Sequence, residues 1–464
     1  MADEAPTLSV REERSPGAKL LFAVLIGALL AIPLFSIYLL AWDRQSQSET
    51  ARASIAEGWG GPQTIAGPML VIPYLAETTE SSNEGGRTVT RSKQVWRELF
   101  VAPTRLEIDT TINPERRKRS IYEAVLYSAR NEGRARYVLP GDLGRYGVQL
   151  GQLALDRAEL RFGVSDARGL AADNRVVVGG RPAALQPGNG LSATGGSGFF
   201  TFVDARSLPQ QPLDASFSVG FRGNAHLTLS PRAGETVWRV KSPWPHASYQ
   251  GGFLPEQPAH GAIDATYRIS NLALGTALVS SEEAQPGGAV SVGDPYSRGV
   301  TTVPAQANEA RISLITPVDL YSQVNRSVKY GFLFIGFTFL AFLMFDVIGG
   351  VRVSAVEYLL VGAGLVLFFV MLLAFAEVVG FTPAYLIAAA AIIGLLTAYS
   401  AAVLKSWRRG GYIAGLLTAL YAVLYVLLSL EAFSLLIGSV LVFVALAAVM
   451  YLTRNIDWGK RRPL

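Results

Sequence analysis

The chain has 464 residues, half of them hydrophobic and only 17% charged, whereas soluble domains carry about 25% charged residues. It contains no cysteine, which excludes disulfides, zinc–thiolate sites and cysteine nucleophiles. The net charge is +5, but the basic residues cluster beside hydrophobic runs, where membrane topology accounts for them. The composition therefore indicates a membrane protein and gives no reason to expect nucleic acid as a partner.

The first hydrophobic run, Leu20–Trp42, follows a polar tail of residues 1–19 and carries no charged residue. About 20 apolar residues are enough to span the hydrocarbon core of a bilayer. A cleavable signal peptide would have a shorter apolar region, of about 7–15 residues, and a small-residue cleavage site. The length therefore predicts an uncleaved transmembrane anchor, which Pro33 is expected to kink.

The segment 43–329 has normal polarity and is predicted to form one large domain. Residues 43–57 contain neither glycine nor proline and are interpreted as a helical extension of the anchor that ends at Gly58. Beyond this point, short runs of alternating polarity stand between turn residues, which predicts an all-β, sandwich-like domain. These runs are Leu99–Val101, Arg105–Thr111, Arg157–Phe162, Arg175–Val178, Phe199–Val203, Ala215–Phe221, His226–Leu229, Val237–Lys241 and Ala265–Ser270. For Ile121–Ala129, periodicity leaves strand and helix open.

Residues 330–453 are predicted to form a block of five transmembrane helices, followed by a basic tail at 454–464. The predicted spans are Tyr330–Ile348, Ala355–Ala376, Pro383–Leu404, Tyr412–Leu430 and Ala432–Thr453. Each is long enough to cross the hydrocarbon core. With the N-terminal anchor, the chain is predicted to be an α-helical membrane protein with a large inserted β domain.

The distribution of basic residues predicts how these helices are oriented. With a cytoplasmic N-terminus, eleven Lys and Arg residues beside the spans lie inside, and the short outer loops at 377–382 and around 431 carry none. The inside residues are Arg11, Arg14, Lys19, Arg352, Lys405, Arg408, Arg409, Arg454, Lys460, Arg461 and Arg462. Both termini are therefore predicted to be cytoplasmic, with the domain at 43–329 on the opposite side of the membrane.

The sequence lacks the motifs of known catalytic or cofactor chemistry. It has no phosphate-binding loop, no dinucleotide fingerprint and no nucleophile elbow. Its three histidines do not have metal-ligand spacing. No catalytic residue, metal site or cofactor is predicted, and the chain is not expected to be an enzyme.

The middle domain contains one segment that is rich in aromatic residues and proline. Trp244 and His246 lie in a Ser-Pro-Trp-Pro-His run, which Tyr249 and Phe253 follow. A rigid surface loop or a corner of the core is the preferred interpretation, because aromatic side chains bury large apolar areas. A recognition loop for a ligand is the alternative.

Charged residues near the membrane are candidate functional residues, because charge within lipid is costly. Lys329, Glu377 and Glu431 fall at the predicted outer ends of helices and are candidates for a charged cluster. The alternative is that each faces water at the interface. Asp346 lies near the inner boundary, where Arg352 is its candidate partner. No predicted span has an ionisable residue at its midpoint, which argues against an ion-coupled transporter.

Several segments together resemble the CreD family of bacterial inner-membrane proteins, over nearly the whole chain. In the C-terminal part the resembling segments are Pro317–Tyr321, Arg326–Phe339, Glu357–Gly362 and Leu441–Trp458. In the middle domain they are Gly58–Gln63, Gly67-Pro68, Ser165–Leu170 and Ser242–His246. The chain departs from the family pattern at Ser354–Tyr358, where the family tends to have His-Pro-Ile-Gln-Tyr. It also departs beside Glu377 and Glu431, which are themselves retained.

The resemblance implies a location in the bacterial inner membrane and a role in cell-envelope integrity and stress tolerance, without catalytic activity. The implied partners are the lipid bilayer and an unidentified envelope protein or lipid, which the periplasmic domain would bind. Two other classes stay open, namely a transporter or channel for a lipid or small molecule, and an envelope enzyme. The oligomeric state is not predicted.

Overall fold

The structure, a computed structural model, describes residues 16–84, 87–119, 122–256, 261–283, 290–293, 300–303, 308–314, 320–347, 353–429 and 434–454. The chain divides into two compact units. Met1–Glu49 and Val318–Leu464 make up the first, called here the membrane unit. Thr50–Pro317 make up the second, called the β unit.

The first helix, α1, runs from Pro16 to Glu57 as one element, so the predicted anchor and its predicted extension form a single helix. The polar part of α1 is supported by side chains one turn apart. Gln47 donates a hydrogen bond to the Asp43 carboxylate over 2.8 Å, which stabilises an exposed helix. The glycine-rich segment that follows Glu57 ends the helix, as the sequence predicts.

The β unit contains eighteen described strands, five described single-turn 3-10 helices and one short α-helix. The strands and the α-helix are β1 Gln63–Glu84, β2 Arg87–Val101, β3 Arg105–Arg119, β4 Tyr122–Tyr137, β5 Ala158–Val164, β6 Arg175–Val178, β7 Arg181–Ala183, β8 Gln186–Pro187, β9 Gly198–Val203, β10 Leu213–Asn224, β11 His226–Ser230, β12 Glu235–Ser242, β13 Ala247–Gly251, β14 Ile263–Ser270, α2 Asn271–Leu274, β15 Val279–Ser280, β16 Val290–Gly293, β17 Val300–Val303 and β18 Ala310–Leu314. Residues 122–129, which periodicity left open between strand and helix, belong to β4.

Most of these strands form two large sheets. One has nine strands in the order β13-β18-β11-β1-β5-β9-β8, with β2 beside β1 and β15 beside β2. The other has seven strands in the order β14-β12-β3-β4-β10-β6-β7. Most pairs are antiparallel, whereas β1 with β11 and β3 with β12 are parallel. Each parallel pair joins strands that are distant in sequence.

The inner faces of the two sheets bury one continuous core. Phe162 of β5 meets Phe217 of β10 edge to face, with ring centroids 5.5 Å apart. The fully buried indole of Trp238 donates a hydrogen bond to Thr110 over 2.8 Å, so its one polar atom is satisfied inside the core. The predicted all-β, sandwich-like domain is confirmed.

The membrane unit contains five further helices. They are α3 Leu320–Val347, α4 Ala355–Val379, α5 Phe381–Val403, α6 Trp407–Ser429 and α7 Ser434–Thr453. Within the described ranges, α1 and α3 to α6 are long and apolar enough to cross a membrane, which makes five such helices. The apolar stretch of α7, Gly438–Tyr451, is shorter. The predicted class, a helical membrane protein with an inserted β domain, is confirmed.

Aromatic rings fill the centre of the bundle that α3 to α6 form. Phe368 of α4 lies 4.6 Å from Tyr421 of α6 and 5.4 Å from Tyr385 of α5, measured between ring centroids. The Tyr385 hydroxyl donates a hydrogen bond to the backbone oxygen of Tyr421 over 2.7 Å. Because that hydroxyl is buried, the bond removes the cost of an unsatisfied polar group in an apolar layer.

Two glycines make room for α1 against the bundle. The side chain of Leu30 occupies the space that a Cβ at Gly362 of α4 would need. The Cδ1 atom of Leu34 lies 2.9 Å from the position of a Cβ at Gly331 of α3. Small residues that allow such close approach are typical of helix interfaces in membranes.

Candidate functional site

Three helices bring polar side chains together around Glu377 near the end of α4. The Glu377 carboxylate lies 3.9 Å from Arg44 Nε of α1 and accepts a hydrogen bond from the Tyr321 hydroxyl of α3 over 3.3 Å. The Glu377 side chain is 16% exposed, and that of Arg44 is 41% exposed. We call these three residues the Glu377 cluster.

Lys329 of α3 contacts an aromatic ring of α1. Its Nζ lies 5.8 Å from the ring centroid of Tyr38 on α1, a cation–π arrangement. Glu431, the third member of the predicted charged cluster, lies outside the described residues. The candidate cluster of Lys329, Glu377 and Glu431 stays a prediction, and the contacts of Glu377 with Arg44 and Tyr321 were not predicted from the sequence. The sequence did contain a signal for Arg44. Arg44 closely follows the charge-free run Leu20–Trp42, which places it at the membrane level where α4 ends.

A second charged contact lies at the opposite end of α1. Lys19 Nζ is 2.7 Å from the Asp346 carboxylate at the end of α3. The Asp346 side chain is only 3% exposed, and that of Lys19 is 24% exposed. Arg352, the partner predicted for Asp346, lies outside the described residues. Lys19 was not predicted from the sequence as the partner of Asp346. Lys19 directly precedes the first span, on the side of the membrane where the second span ends.

The two charged contacts of α1 bracket its apolar part. Lys19 and Arg44 are 25 residues apart, which is roughly 37 Å of α-helix. The hydrocarbon core of a bilayer is about 30 Å thick, so both residues fall in the interfacial regions. Charged contacts at these levels cost little and tie α1 to α3 and α4 at both ends.

An apolar groove lies between α1 and α3 in the membrane unit. Its volume is about 250 Å³, and Gly27 and Gly336 are among its lining residues. A Cβ at Gly336 would have nothing within 4 Å, so the groove is open at that point. In a bilayer such a surface contacts acyl chains.

The aromatic segment of the β unit contributes mainly to the sheet and the core. Trp244 is buried, and the Arg116 guanidinium lies 5.1 Å above its ring. Tyr249 belongs to β13, and Phe253 packs partly buried against the core, whereas His246 is exposed. This is the arrangement of a core corner. Ligand recognition by these residues stays a prediction.

Trp59 connects the end of α1 to the outer face of the seven-stranded sheet. Its indole nitrogen donates a hydrogen bond to the backbone oxygen of Tyr127 over 3.1 Å. The guanidinium groups of Arg117 and Arg222 lie 4.0 and 4.5 Å from its ring centroid. Cations stacked on an indole stabilise such a junction through cation–π attraction.

Gln63 and Asp166 complete this junction. The fully buried Gln63 amide donates hydrogen bonds to the backbone oxygens of Asp166 and Arg222, over 3.1 and 2.8 Å. Asp166 accepts a hydrogen bond from the Gly61 amide over 3.0 Å. The hydrogen bond from Arg168 lowers the pKa of Asp166 to about 2. The segments 58–63 and 165–170, which are distant in sequence, are therefore in direct contact.

The described residues contain no group of three or more His, Asp or Glu side chains that could hold a metal ion. The carboxylates at the sites above are held by neighbouring cations, as in Asp346 with Lys19, Glu377 with Arg44 and Asp166 with Arg168. Such contacts hold helices and loops in place.

The fold and these contacts define a class: a multi-pass membrane protein that carries a two-sheet domain between its first and second spanning helices. Residues 15–459 match the family described as inner membrane protein CreD. The chain is also 30% identical over 439 residues to inner membrane protein CreD of Escherichia coli (strain K12), which covers 94% of this chain and 92% of that protein. The chain belongs to the CreD family of inner membrane proteins.

Proposed function

We propose that this inner membrane protein supports cell-envelope integrity and stress tolerance through a periplasmic binding domain, without catalysis of its own. The observation that carries the proposal is the β unit, a two-sheet domain with its own core, inserted between α1 and α3. An inserted domain of this size can bind partners that lie outside the bilayer.

The charge distribution supports the periplasmic placement of the β unit. Eleven basic residues beside the spans fall on one side, and the short loops on the other side carry none. The positive-inside rule assigns the basic side to the cytoplasm, which sets both termini inside and the β unit outside.

The contacts of the carboxylates support a role without catalysis. A catalytic acid or base needs to reach a proton on a substrate within a cleft. Asp346 and Glu377 instead contact cations on α1 and join helices to one another. These groups have the surroundings of structural residues.

The proposal is tested by comparing cells with and without the protein under a detergent challenge. Loss of the protein should increase sensitivity, and the full chain should restore resistance. In the same cells, a photo-crosslinking residue at Phe202, which is 63% exposed on the β unit, should capture an envelope component. The same residue at Trp407, which is 75% exposed at the start of α6, is the matched control and should not. Unchanged sensitivity, together with equal capture at both positions, would overturn the proposal.

The groove between α1 and α3 favours a second candidate, a transporter of a lipid or another apolar small molecule. Reconstituted protein would then move a fluorescent lipid between the leaflets of a liposome. A filling substitution at the groove, Gly336→Leu, would reduce that rate, while Gly394→Leu on the exposed side of α5 would not. Equal rates in protein-containing and protein-free liposomes would remove this candidate.

A further inference from the structure

The hairpin of β3 and β4 carries a strongly basic tip. The sequence reads Arg-Arg-Lys-Arg at 116–119, and the side chains of Arg116, Arg117 and Lys118 are 54%, 45% and 73% exposed. Two carboxylates face them. Glu123 lies 3.3 Å from Arg116 and 3.6 Å from Lys118, and Glu115 lies 3.0 Å from Arg117. Cations therefore outnumber carboxylates at the tip.

The last turns of α1 add a further cation beside this tip. Arg52 Nε donates a hydrogen bond to the backbone oxygen of Glu123 over 3.1 Å. Glu123 thus has two cations on its carboxylate and a third on its backbone. Arg52 therefore lies beside the end of the hairpin at which Arg116, Arg117 and Lys118 outnumber Glu115 and Glu123.

A cavity of about 380 Å³ opens beside Arg52 within the β unit. It exists because β10 ends at Asn224, opposite Leu126, so that no described strand lies beside residues 122–125 of β4 on that edge. The last turns of α1 face this edge with small side chains, including Ala53. The walls are mostly apolar, with Arg52, Glu123 and Asn224 as the polar lining residues.

We propose that this cavity and the basic tip form a binding site for an anionic phospholipid. One acyl chain would occupy the apolar cavity, and the phosphate would contact Arg52 and Lys118. The cavity volume lies within the range of about 300–1,000 Å³ that small-ligand sites have. The excess of positive charge complements a phosphate, and the apolar walls complement an acyl chain.

The apolar walls favour a lipid over free phosphate, because they contribute binding energy only to a ligand with an alkyl part. Chain connectivity favours it as well. Arg52 lies ten residues after Trp42, the end of the predicted anchor, and Leu314, another lining residue, lies six residues before α3 begins at Leu320. The inference rests on the proposed function only in treating the β unit as a binding module.

The test uses the full chain, purified in a non-ionic detergent and titrated with dimyristoyl phosphatidylglycerol, with lipid adducts resolved by native mass spectrometry. Dimyristoyl phosphatidylcholine and inorganic phosphate are the comparison ligands. We expect phosphatidylglycerol to bind most tightly. Lys118→Gln should weaken that binding about fivefold, since one surface cation contributes about 1 kcal/mol toward an anionic lipid.

A cavity-filling variant provides the second arm. Ala53 is exposed and lines the cavity, so Ala53→Leu should fill it and weaken the binding of phosphatidylglycerol without unfolding the β unit. Ala172→Leu and Arg181→Gln, at exposed positions away from the cavity, are the matched controls and should bind as the parent does.

Equal binding of the two phospholipids, or unchanged binding in Lys118→Gln and Ala53→Leu, would overturn the inference. Inorganic phosphate that displaces phosphatidylglycerol and binds equally well would also overturn it, because the site would then be one for a free anion. These results are read on purified protein. Failure here is therefore distinct from failure of the detergent-challenge assay.

Discussion

Asp346 is a buried carboxylate at the end of a membrane helix, with a side chain that is 3% exposed. Removing a carboxylate from water is costly unless a cation and hydrogen bonds compensate. Lys19 supplies that cation from α1 at 2.7 Å. The contact thus fixes the level at which α1 meets α3.

We expect Lys19→Met and Asp346→Asn each to lower the stability of the detergent-solubilised protein, by about 2 kcal/mol for Lys19→Met. Because the two groups contact each other, the double variant should lose less than the sum of the two single losses. Thermal unfolding of the four proteins gives this coupling. Arg408→Met, at an exposed basic position before the membrane part of α6, is the control and should have little effect. Additive losses would show that the contact does not contribute.

The Glu377 cluster predicts which residue couples to Glu377. Glu377→Gln and Arg44→Gln should show a coupling of roughly 0.5–1 kcal/mol, the size typical of a partly exposed ion pair. Glu377→Gln and Lys329→Gln should be additive, because Lys329 lies over Tyr38 instead. Thermal unfolding in detergent measures both cycles. Coupling to Lys329 but not to Arg44 would support the cluster predicted from sequence.

Asp166 gives a pH dependence with a definite sign. Arg168 lowers the pKa of Asp166 to about 2. The stability that the ionised Asp166 carboxylate contributes is therefore fully present above about pH 4 and is lost as pH falls toward 2. With its side chain 13% exposed, that contribution is about 1–2 kcal/mol. Asp166→Asn should therefore be less stable than the parent at pH 6, and about half of the difference should vanish at pH 3.

The control for Asp166 is Asp204, which Arg206 holds in the same way two residues along the chain. The Asp204 side chain is 54% exposed, so water screens the pair, and Asp204→Asn should change stability much less. Thermal unfolding followed through the circular dichroism of the strands compares the two variants. If the difference in stability between the parent and Asp166→Asn does not vary with pH, the lowered pKa of Asp166 is contradicted.

Sequence reasoning at the residue scale predicted where charges would need partners but not which partners they have. Hydropathy predicts that Asp346 and Glu377 lie on opposite sides of the membrane, because it reports depth in the membrane. It does not report which helix lies beside them. Lys19 and Arg44 became partners through the packing of α1, which depends on the fit of Leu30 and Leu34 to two glycines.

At the scale of elements, that fit of α1 is the clearest determinant of packing in the membrane unit. Gly362→Val should displace Leu30 and lower stability by about 1–3 kcal/mol, because overpacking forces the neighbouring helix to shift. Gly336→Val is the matched control, since its Cβ has nothing within 4 Å. Thermal unfolding in detergent should therefore separate the two variants. Equal losses would show that the close approach of Leu30 to Gly362 does not stabilise the packing of α1.

The strands that sequence patterns identified are those with one face in the core. Within β10, for example, buried positions alternate with exposed or half-buried ones from Leu213 to Val219. The long strand β1 was missed because it is buried along its first part and polar along its second, so it shows no regular alternation. Similarly, the span predicted to begin at Tyr330 starts inside α3, which begins at Leu320. Hydropathy detects the lipid-facing part of a helix and not its polar extension.

At the scale of the whole molecule, the unequal distribution of apolar residues was enough to predict a domain inserted between membrane helices. Each span is long and carries at most one charged residue, and the segment between the first two shows the short alternating runs of a β domain. The cavity beside Arg52 could not be predicted, because it depends on where β10 ends relative to β4. Contacts between distant segments of chain, such as Gln63 with Asp166, were likewise beyond pattern reasoning.

The orientation of the β unit is the central claim, and the absence of cysteine makes it directly measurable. Leu272→Cys places one thiol at a position that is 87% exposed on the β unit, and Trp407→Cys places one at a position that is 75% exposed at the start of α6. In intact cells, a maleimide that cannot cross the inner membrane should label Leu272→Cys. It should label Trp407→Cys only after that membrane is opened, and the parent chain should never be labelled. Labelling of Trp407→Cys but not of Leu272→Cys in intact cells would contradict a periplasmic β unit.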